Sequence, residues 1–488
     1  MIKTRFAPSP TGELHIGGAR TALFCYLWAK KNQGQFILRI EDTDQERNKE
    51  EFVNNLYKDL VWLGVKPDES IFQTGEHGPY RQTQRLDIYR KYIEKLLEEK
   101  KAYYCFCSPE ELAQEKERFI RENKRSNYQY SRKCLQLSEK EIHSFLRQQT
   151  PYVLRLKIPQ ERNYSFPDLV RKEVNFQGKD IEDFVLFRQN SIPNFNFACA
   201  VDDYLMKISH VLRGEEHLSN TGKQLVLYEM FGWNPPFFSH ISIILNKEKK
   251  KLSKRDKETS QWQLISQLRE KGYLPSAIVN YLLFLGWHPG NNQEIFSLSE
   301  AIKIFNLEGF HASGAVYDLE KLNWYNNHYI RQLPEKDFAE HAWQFLGKKY
   351  DLEPKKKAWV KQISLLFRPQ LNNFQELIDL TTYFFQRPAP KVEIKENEVL
   401  WIEELRKELS KLDKWEVENI KSVLKSACLN NQAPKKEFYL LVRNLLTGVD
   451  KGPELPQIIY LLNKLEINKR FNISLAGRKS PISNSFEN

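Results

Sequence analysis

The sequence predicts an α/β front half followed by an all-α back half, on three observations. Strand, glycine-bearing loop, helix and strand succeed one another within the first forty or so residues, the opening of a βαβ unit. Strand-like runs then recur as far as Leu245, and beyond a very basic loop, Lys247–Lys257, helical periodicity takes over. At 488 residues the chain is too long for one ordinary domain and suits about three.

The elements follow in order. Ile2–Ala7 reads as a strand, broken by Pro8, Pro10 and Gly12. A helix is expected from about Gly18, with Ala19, Ala22, Leu23, Tyr26 and Leu27 on one face, closed by Gly34. Gln35–Ile40 is the second strand, and Glu50–Leu63 and Arg85–Lys101 are helical. Strands resume at Tyr152–Ile158, Asp183–Phe187 and Ile208–Arg213; a helix then reaches about Phe231, and Ser239–Leu245 is a further strand. Helices are expected at Gln261–Lys271, Pro275–Leu285, Leu319–Ile330 and over much of Phe338–Ile467, with a linker at Pro388 and Pro390. The Ser- and Asn-rich tail from Asn472 lacks periodicity and reads as disordered.

Composition sets limits. Hydrophobic residues make up 41% and charged residues 28%, a soluble globular balance. Lys and Arg outnumber Asp and Glu by 74 to 63, giving a net charge of +11, which suits a polyanionic partner and equally a merely basic protein. Six cysteines in so long a chain (Cys25, Cys105, Cys107, Cys134, Cys199 and Cys428) do not read as a disulfide framework and fit a reducing compartment. No secretory signal is apparent at Met1, and the longest apolar stretch, Tyr281–Trp287, is too short to span a bilayer. A cytoplasmic location is expected.

Two segments suit phosphate chemistry. Pro8-Ser9-Pro10-Thr11-Gly12-Glu13-Leu14-His15-Ile16-Gly17-Gly18 joins the first strand to the first helix. Helix N-termini offer free N–H groups to anions, Gly17 and Gly18 let a flat ligand approach the backbone, and His15 can donate to phosphate oxygens. An ordinary turn is the competing reading, and a bare His-x-Gly-Gly would favour it. Lys251-Leu252-Ser253-Lys254-Arg255 lies in the basic loop, where lysines can close over a triphosphate, although most lysine clusters are simply solvated.

Taken together, His15-Ile16-Gly17-Gly18 and Lys251-Leu252-Ser253-Lys254-Arg255 resemble the two signatures of class I aminoacyl-tRNA synthetases. More narrowly, the chain resembles the bacterial glutamyl-tRNA synthetase family. The matching stretches are Arg5–Gly12, Arg39-Ile40-Glu41-Asp42-Thr43-Asp44, Val201-Asp202-Asp203 and Val211–Thr221, and they run from Arg5 to about Arg331. The resemblance implies a Rossmann-like catalytic domain in two halves, 1–101 and 191–257, around an inserted tRNA acceptor-binding subdomain, 102–190. A stem-contact helical subdomain at 258–332, an all-α anticodon-binding region at 333–471 and a tail at 472–488 complete the expected division.

The resemblance also implies the chemistry. ATP, with Mg²⁺ held mainly through its phosphates, activates L-glutamate to glutamyl-adenylate, and the 3′-terminal ribose of tRNA-Glu then takes the glutamate. His15 and Lys254 would act in the first step, with Gly17, Gly18, Lys251, Ser253 and Arg255 also binding ATP. Arg5 and Arg213 would face the two carboxylates, Arg213 the side-chain one; Glu41 would take the ammonium and Ser9 add a hydrogen bond. Two positions depart from the family pattern: Phe195 stands where a tyrosine is usual in the glutamate pocket, and Lys257 replaces a glycine after the lysine motif. Cys105, Cys107, Tyr130 and Cys134 match a Cys-x-Cys…Tyr-x-x-x-Cys pattern that holds a structural Zn²⁺ in some members. In the back half Lys355-Lys356-Lys357 near Trp359 suits phosphates and stacked bases, and Gln370 in Arg368-Pro369-Gln370 stands where strict enzymes often carry arginine, which points to tRNA-Gln as a second substrate. A monomer is expected.

Four other readings compete with this one. A paralogue acting on a modified tRNA base would lack the helical back half, and a glutaminyl-tRNA synthetase would carry β-barrels there. A small-molecule nucleotidyltransferase has no need of so large a basic helical region. A catalytically dead relative is opposed by His15, Lys254, Arg5 and Glu41 and kept open by Phe195 and Lys257.

Overall fold

The computed structural model describes residues 1–44, 46–123, 128–189, 192–252, 262–389 and 394–476. The chain folds into two compact units, one of Met1–Leu268 with Pro275–Leu322 and one of Arg269–Leu274 with the chain from Asn323 onward.

The first unit opens with β1 (Lys3–Phe6), α1 (Ile16–Lys31) and β2 (Gln35–Leu38). All four residues of β1 are buried, as expected of a parallel strand covered on both faces. Helix α1 starts at Ile16 rather than Gly18, because the His15 side chain caps it: Nδ1 accepts from the Gly18 N–H at 3.2 Å. Lys30 and Lys31 lie in its last turn, where they complement the helix dipole. Gly34 is required where the chain turns into β2, since a Cβ there would fall 2.0 Å from the Ile2 carbonyl oxygen. Helices α2 (Glu50–Trp62) and α3 (Leu86–Glu98) follow.

Next comes β3 (Ala102–Cys105), α4 (Pro109–Asn123), α5 (Glu139–Arg147), β4 (Val153–Leu156), β5 (Asn163–Asp168), β6 (Lys172–Gln177) and β7 (Val185–Phe187). The order β3-β4-β7 makes a small antiparallel sheet. The hairpin β5–β6, absent from the sequence expectation, leaves it and joins the main sheet, β5 lying parallel to the strand around Phe238. Its alternating burial, with Tyr164, Phe166 and Asp168 inward, is a strand signal, but Pro167 within the run argues against a strand.

The chain continues through α6 (Phe195–Leu205), β8 (His210–Gly214), α7 (Leu218–Phe231), β9 (Phe237–Ile241) and β10 (Ile244–Leu245). The main sheet has the order β2-β1-β8-β9-β5-β6. The single strand expected over Ser239–Leu245 is two strands, because the backbone is diverted at Ser242: its carbonyl accepts from Arg20 Nη2 at 2.6 Å, and the Ile243 N–H bonds Glu215 at 2.9 Å. Tyr89, Leu156, Leu186, Phe197, Val226 and Phe238 belong to the core packed on this sheet. Helix α8 (Ile265–Glu270) is shorter than the helix expected over Gln261–Lys271, since Gln263 and Leu264 pair with the start of α1 through the Ile16 N–H to Gln263 O bond of 2.8 Å. Helices α9 (Pro275–Leu283) and α10 (Leu298–Ile304) and strand β11 (Ala315–Val316), parallel to β10, complete the unit.

Helix α11 (Leu319–Gln332) leads into the second unit. That unit adds α12 (Glu335–Leu346), α13 (Lys357–Phe367), α14 (Glu376–Leu380), α15 (Thr382–Phe385), α16 (Glu396–Lys411), α17 (Val417–Asn430), α18 (Lys435–Thr447) and α19 (Leu455–Ala476). Asn463, at φ +63°, breaks α19, and its side chain accepts from the N–H groups of Leu465 and Glu466, so it caps the second stretch. The expected disordered tail begins too early. Residues 472–476 continue α19, because Phe471 and Ser474 are buried; the tail from Gly477, and Pro390 of the expected linker, lie outside the described residues. None of the described helices is long and apolar enough to cross a membrane.

Side chains of α3 and of the 3₁₀ turn before it, Gln82–Arg85, meet α6 at Asp202, which is wholly buried and accepts from Arg85 Nε at 2.7 Å, Tyr89 OH at 2.8 Å and Gln82 Nε2 at 3.0 Å. Arg39, the residue after β2, also pairs with it, at 3.7 Å. Removing one partner of such a cluster strands the opposite charges. Asp202→Ala is therefore expected to lose about 3–5 kcal/mol of stability, measured by urea unfolding; a loss below about 1 kcal/mol would contradict this account.

Candidate active site

The first βα turn and the C-terminal end of β8 face one cavity of about 480 Å³. Strand β1 connects outward to β2 and β8 outward to β9, so the crevice between β1 and β8 is a topological switch point, where open parallel sheets bind ligands. Arg5, Ser9, His15, Gly17, Gly18, Glu41, Phe195, Arg213 and Lys251 all line it. The structure thus gathers every expected site residue it describes except the cysteine cluster; Ser253, Lys254, Arg255 and Lys257 lie outside the described residues.

His15 and the glycines form one side. Because His15 Nδ1 accepts the Gly18 N–H, the neutral ring carries its proton on Nε2, the tautomer suited to donate to an anion. A Cβ on Gly17 would lie 3.0 Å from the imidazole, so glycine there lets the ring sit over the helix start. Ser9 is exposed, and its carbonyl accepts from the Thr11 N–H at 2.8 Å. Lys251, also exposed, bridges to Leu245.

Deeper in, Arg5 and Glu41 are embedded in a buried ionic cluster. Arg5 donates to Asp203 through Nε (3.1 Å) and Nη2 (3.2 Å), and Arg39 donates to Asp203 at 2.7 Å and to Glu41 at 2.9 Å. Burial works against each charge, yet Asp203 holds the Arg5 guanidinium above its usual pKa, and Arg5 and Arg39 hold Asp203 below the usual carboxylate range. At Glu41 burial prevails and pushes the carboxyl upward against the pull of Arg39. The buried Cys199 thiol sits among these groups and lines the cavity.

Arg213 differs. It is buried at the end of β8, and among the described residues no carboxylate pairs with it; Nε faces His240 at 3.3 Å and Nη2 donates to the Thr221 hydroxyl at 2.6 Å. Burial without a paired anion lowers its pKa to about 10. A buried cation of this kind favours an anionic ligand over a neutral one. Phe195 opens α6, and its ring lies 5.8 Å from that of His217, which burial holds down to about 4 and therefore neutral.

Sequence reasoning missed Arg20, which lines the cavity while anchoring the Leu285 and Ser242 carbonyls, and also Asp168, Thr221 and His240 behind Arg213. Thr221 closes the matching stretch Val211–Thr221 without having been singled out, and Arg20, Asp168 and His240 belong to no short motif. The only signal was a charged or polar residue inside an otherwise apolar element, a helix for Arg20 and Thr221 and a strand for Asp168 and His240.

A separate cluster lies in the small antiparallel sheet. Cys105 ends β3, Cys134 lies in the 3₁₀ turn Lys133–Gln136, and the sulfur atoms of Cys105, Cys107 and Cys134 all fall within 4.8 Å of one another. The Tyr130 hydroxyl stands 3.5 Å from the Cys105 and Cys107 sulfurs, and Cys107 is 3.5 Å from Cys134. Ligands of a tetrahedral zinc with bonds of about 2.3 Å stand about 3.8 Å apart, so this donor set fits one with small movements. The Arg155 guanidinium lies 4.2 Å from the Tyr130 ring, and the hydrogen bond from Cys134 holds the Cys105 thiol well below its usual range.

Residues 1–324 match the family described as tRNA synthetases class I (E and Q), catalytic domain, and residues 337–475 match an anticodon binding domain. The chain is 43% identical to the glutamate–tRNA ligase of Geobacillus stearothermophilus, across 97% of this chain and 98% of that one. It is 38% identical to the glutamate–tRNA ligase of Mycoplasma mycoides subsp. mycoides, across 96% and 99%. Its fold is similar to the crystal structure of a glutamate tRNA ligase from Elizabethkingia meningosepticum in complex with its amino acid, with a TM-score of 0.89, 34% identity, and coverage of 98% of this chain and 100% of that one.

Metal analysis of the purified protein is expected to give about one zinc per chain, and Cys134→Ser to lose most of it, since three protein donors without a bound partner hold zinc weakly. A wild-type content below about 0.2 zinc per chain, after purification without chelators, would rule the site out.

Proposed function

We propose, for a chain that belongs to the class I tRNA synthetase family of the E and Q type, the function of a glutamate–tRNA ligase, which activates L-glutamate with ATP and transfers it to the 3′-terminal ribose of tRNA-Glu. The observation that carries the substrate side is Arg213: a buried guanidinium lining the cavity, with no carboxylate partner among the described residues. Glutamine would leave that charge unpaired, so the pocket selects for a side-chain carboxylate.

In the reaction the α-carboxylate of glutamate attacks the α-phosphate of ATP, and pyrophosphate leaves as glutamyl-adenylate forms. The ribose hydroxyl of tRNA then attacks the activated carbonyl, and AMP leaves. Both steps need positioning and charge stabilisation rather than a protein nucleophile. His15 at the N-terminus of α1 and the glycines beside it support ATP binding, with Lys251 and the motif residues Ser253, Lys254 and Arg255 assigned to the phosphates by resemblance. Mg²⁺ would enter on the phosphates of ATP. Arg5, whose Nε and Nη2 serve Asp203, keeps a cationic edge toward the amino acid, and an incoming ammonium would favour the charged form of Glu41. The cysteine cluster would hold a structural zinc in the subdomain that takes the acceptor end of the tRNA. A monomer in a reducing cytoplasm suits six free cysteines.

On the RNA side, Arg368 is occupied in capping α11, donating to the carbonyls of Ile330, Arg331 and Leu333, whereas Gln370 in the same turn is exposed. Lys355 and Lys357 pair with Glu353 and Glu340, and the Trp359 indole donates to Leu461 O at 2.8 Å, which lowers the weight of that cluster as an RNA contact.

ATP–pyrophosphate exchange tests the reading. Exchange with glutamate, dependent on added tRNA and absent with glutamine, is expected; well-folded protein that exchanges with neither amino acid would refute it. Phe195→Tyr is expected to lower the KM for glutamate about three- to tenfold, the size of one added hydrogen bond, and an unchanged KM would remove Phe195 from the pocket. With Gln370 in place of arginine, charging of tRNA-Gln alongside tRNA-Glu is expected, and strict preference for tRNA-Glu would count against that role.

A further inference from the structure

Arg213 does not hold its own orientation. It faces His240 across the β8–β9 pair, where the two are direct register partners on neighbouring parallel strands. His240 is wholly buried, and its Nδ1 lies 2.6 Å from Asp168 Oδ2. Asp168 ends β5, and its other oxygen accepts the N–H groups of Val170 (2.9 Å) and Arg171 (2.7 Å). Its carboxyl is buried, which would raise its pKa, but the bonds from His240 and these backbone groups bring it below the usual range, so it is an acceptor only. Burial and the neighbouring Arg213 hold the imidazole below its usual range, hence neutral.

These facts fix one tautomer. An ionised Asp168 can only accept, so His240 carries its proton on Nδ1 and presents a lone pair at Nε2. That lone pair faces Arg213 Nε at 3.3 Å and the Thr221 hydroxyl at 2.9 Å. Thr221 in turn accepts from Arg213 Nη2 at 2.6 Å and has one proton to give, which suits Nε2. Two guanidinium nitrogens are thus held from behind by neutral acceptors, and among the described residues Nη1 has no hydrogen bond. A carboxylate in place of His240 would have neutralised Arg213 and removed the reason for an anionic substrate to bind.

The geometry points to Asp168 and His240 as positioning residues for substrate recognition: through the fixed imidazole and Thr221 they orient Arg213 toward the side-chain carboxylate of glutamate while leaving its charge unspent. This rests on the reading of Arg213 given above. Asp168 comes from the hairpin inserted between the two halves of the catalytic sheet, so the insertion supplies part of the amino-acid pocket's support.

The test is ATP–pyrophosphate exchange, with tRNA present, on four variants whose folding is checked by their unfolding midpoints. Asp168→Asn keeps the size and backbone acceptor of the native residue but no longer dictates the tautomer; His240→Leu removes the lone pair; His240→Gln offers an acceptor near the Nε2 position. Asp168→Asn and His240→Leu are expected to raise the KM for glutamate about tenfold or more, with kcat and the KM for ATP within about twofold, and His240→Gln to remain within about threefold of wild type. If His240→Leu does not fold, Asp168→Asn and His240→Gln decide. The inference is overturned if His240→Gln is as impaired as His240→Leu, if Asp168→Asn leaves the KM for glutamate unchanged, or if the KM values for ATP and glutamate rise together. Arg213→Gln separates the two levels. If it leaves the KM for glutamate unchanged, the role of Arg213 itself fails; if it raises that KM while Asp168→Asn and His240→Leu do not, only the positioning role fails.

Discussion

Two adjacent carboxylates at the end of α6, Asp202 and Asp203, must be buried with their charges matched, and much of the first unit is arranged around that requirement. Asp203 takes Arg5 from β1 and Arg39 from the end of β2, while Asp202 takes Arg85 and Tyr89 from the α3 region and a longer contact from Arg39. Glu41 completes the set against Arg39. Three guanidinium groups thus face three carboxylates with almost no exposure to water. Such a cluster tolerates little displacement, because the low dielectric that strengthens each pair also magnifies any unpaired charge. It registers β1, β2, α3 and α6 against one another and so sets the walls of the cavity above them.

Within this frame the site divides its labour by charge. The arginines of the cluster are largely neutralised, so they shape the pocket more than they attract an anion. Arg213 stands outside the cluster, backed by His240 and Thr221 rather than by an acid, and keeps an undiminished positive charge. Across the cavity the N-terminus of α1, with His15 folded over Gly17, offers a second anion-binding edge. The two edges come from opposite sides of the switch between β1 and β8, which keeps the two cationic ends of the cavity apart.

The insertion is less separate than its position in the chain suggests. One part makes the antiparallel sheet that carries the cysteine cluster; the other, the β5–β6 hairpin, extends the main sheet beyond β9. The last residue of β5, Asp168, reaches His240 because parallel pairing sets it beside Phe238, two residues before His240 on β9. The second unit is built differently, from helices whose ends are tied by arginines: Arg368 caps α11, and Arg387 and Arg470 both hold Glu466 in α19. Many of its basic residues therefore have structural partners, and charge density alone overstates its free cationic surface.

The sequence by itself determined the alternation of strand and helix in the front half, the helical back half, and the membership of His15, Gly17, Gly18, Glu41 and Arg213 in one site. These are local or motif-bound properties: hydrophobic period fixes the elements, and a strand–glycine loop–helix junction fixes where a phosphate group can sit. Tertiary structure alone decided which charges remain available. Arg5 and Arg213 read alike in the sequence, as arginines in strands, but Asp203 lies 198 residues from Arg5 and claims it, while Arg213 is supported only by neutral groups, a threonine on the following helix and a histidine on the next strand. The β5–β6 hairpin was likewise hidden, because Pro167 breaks the local strand signal and only pairing with β9 compensates for it. Where the strand ends converge, the partner of a buried charge is set by sheet order, and sheet order is not written in any window of neighbouring residues.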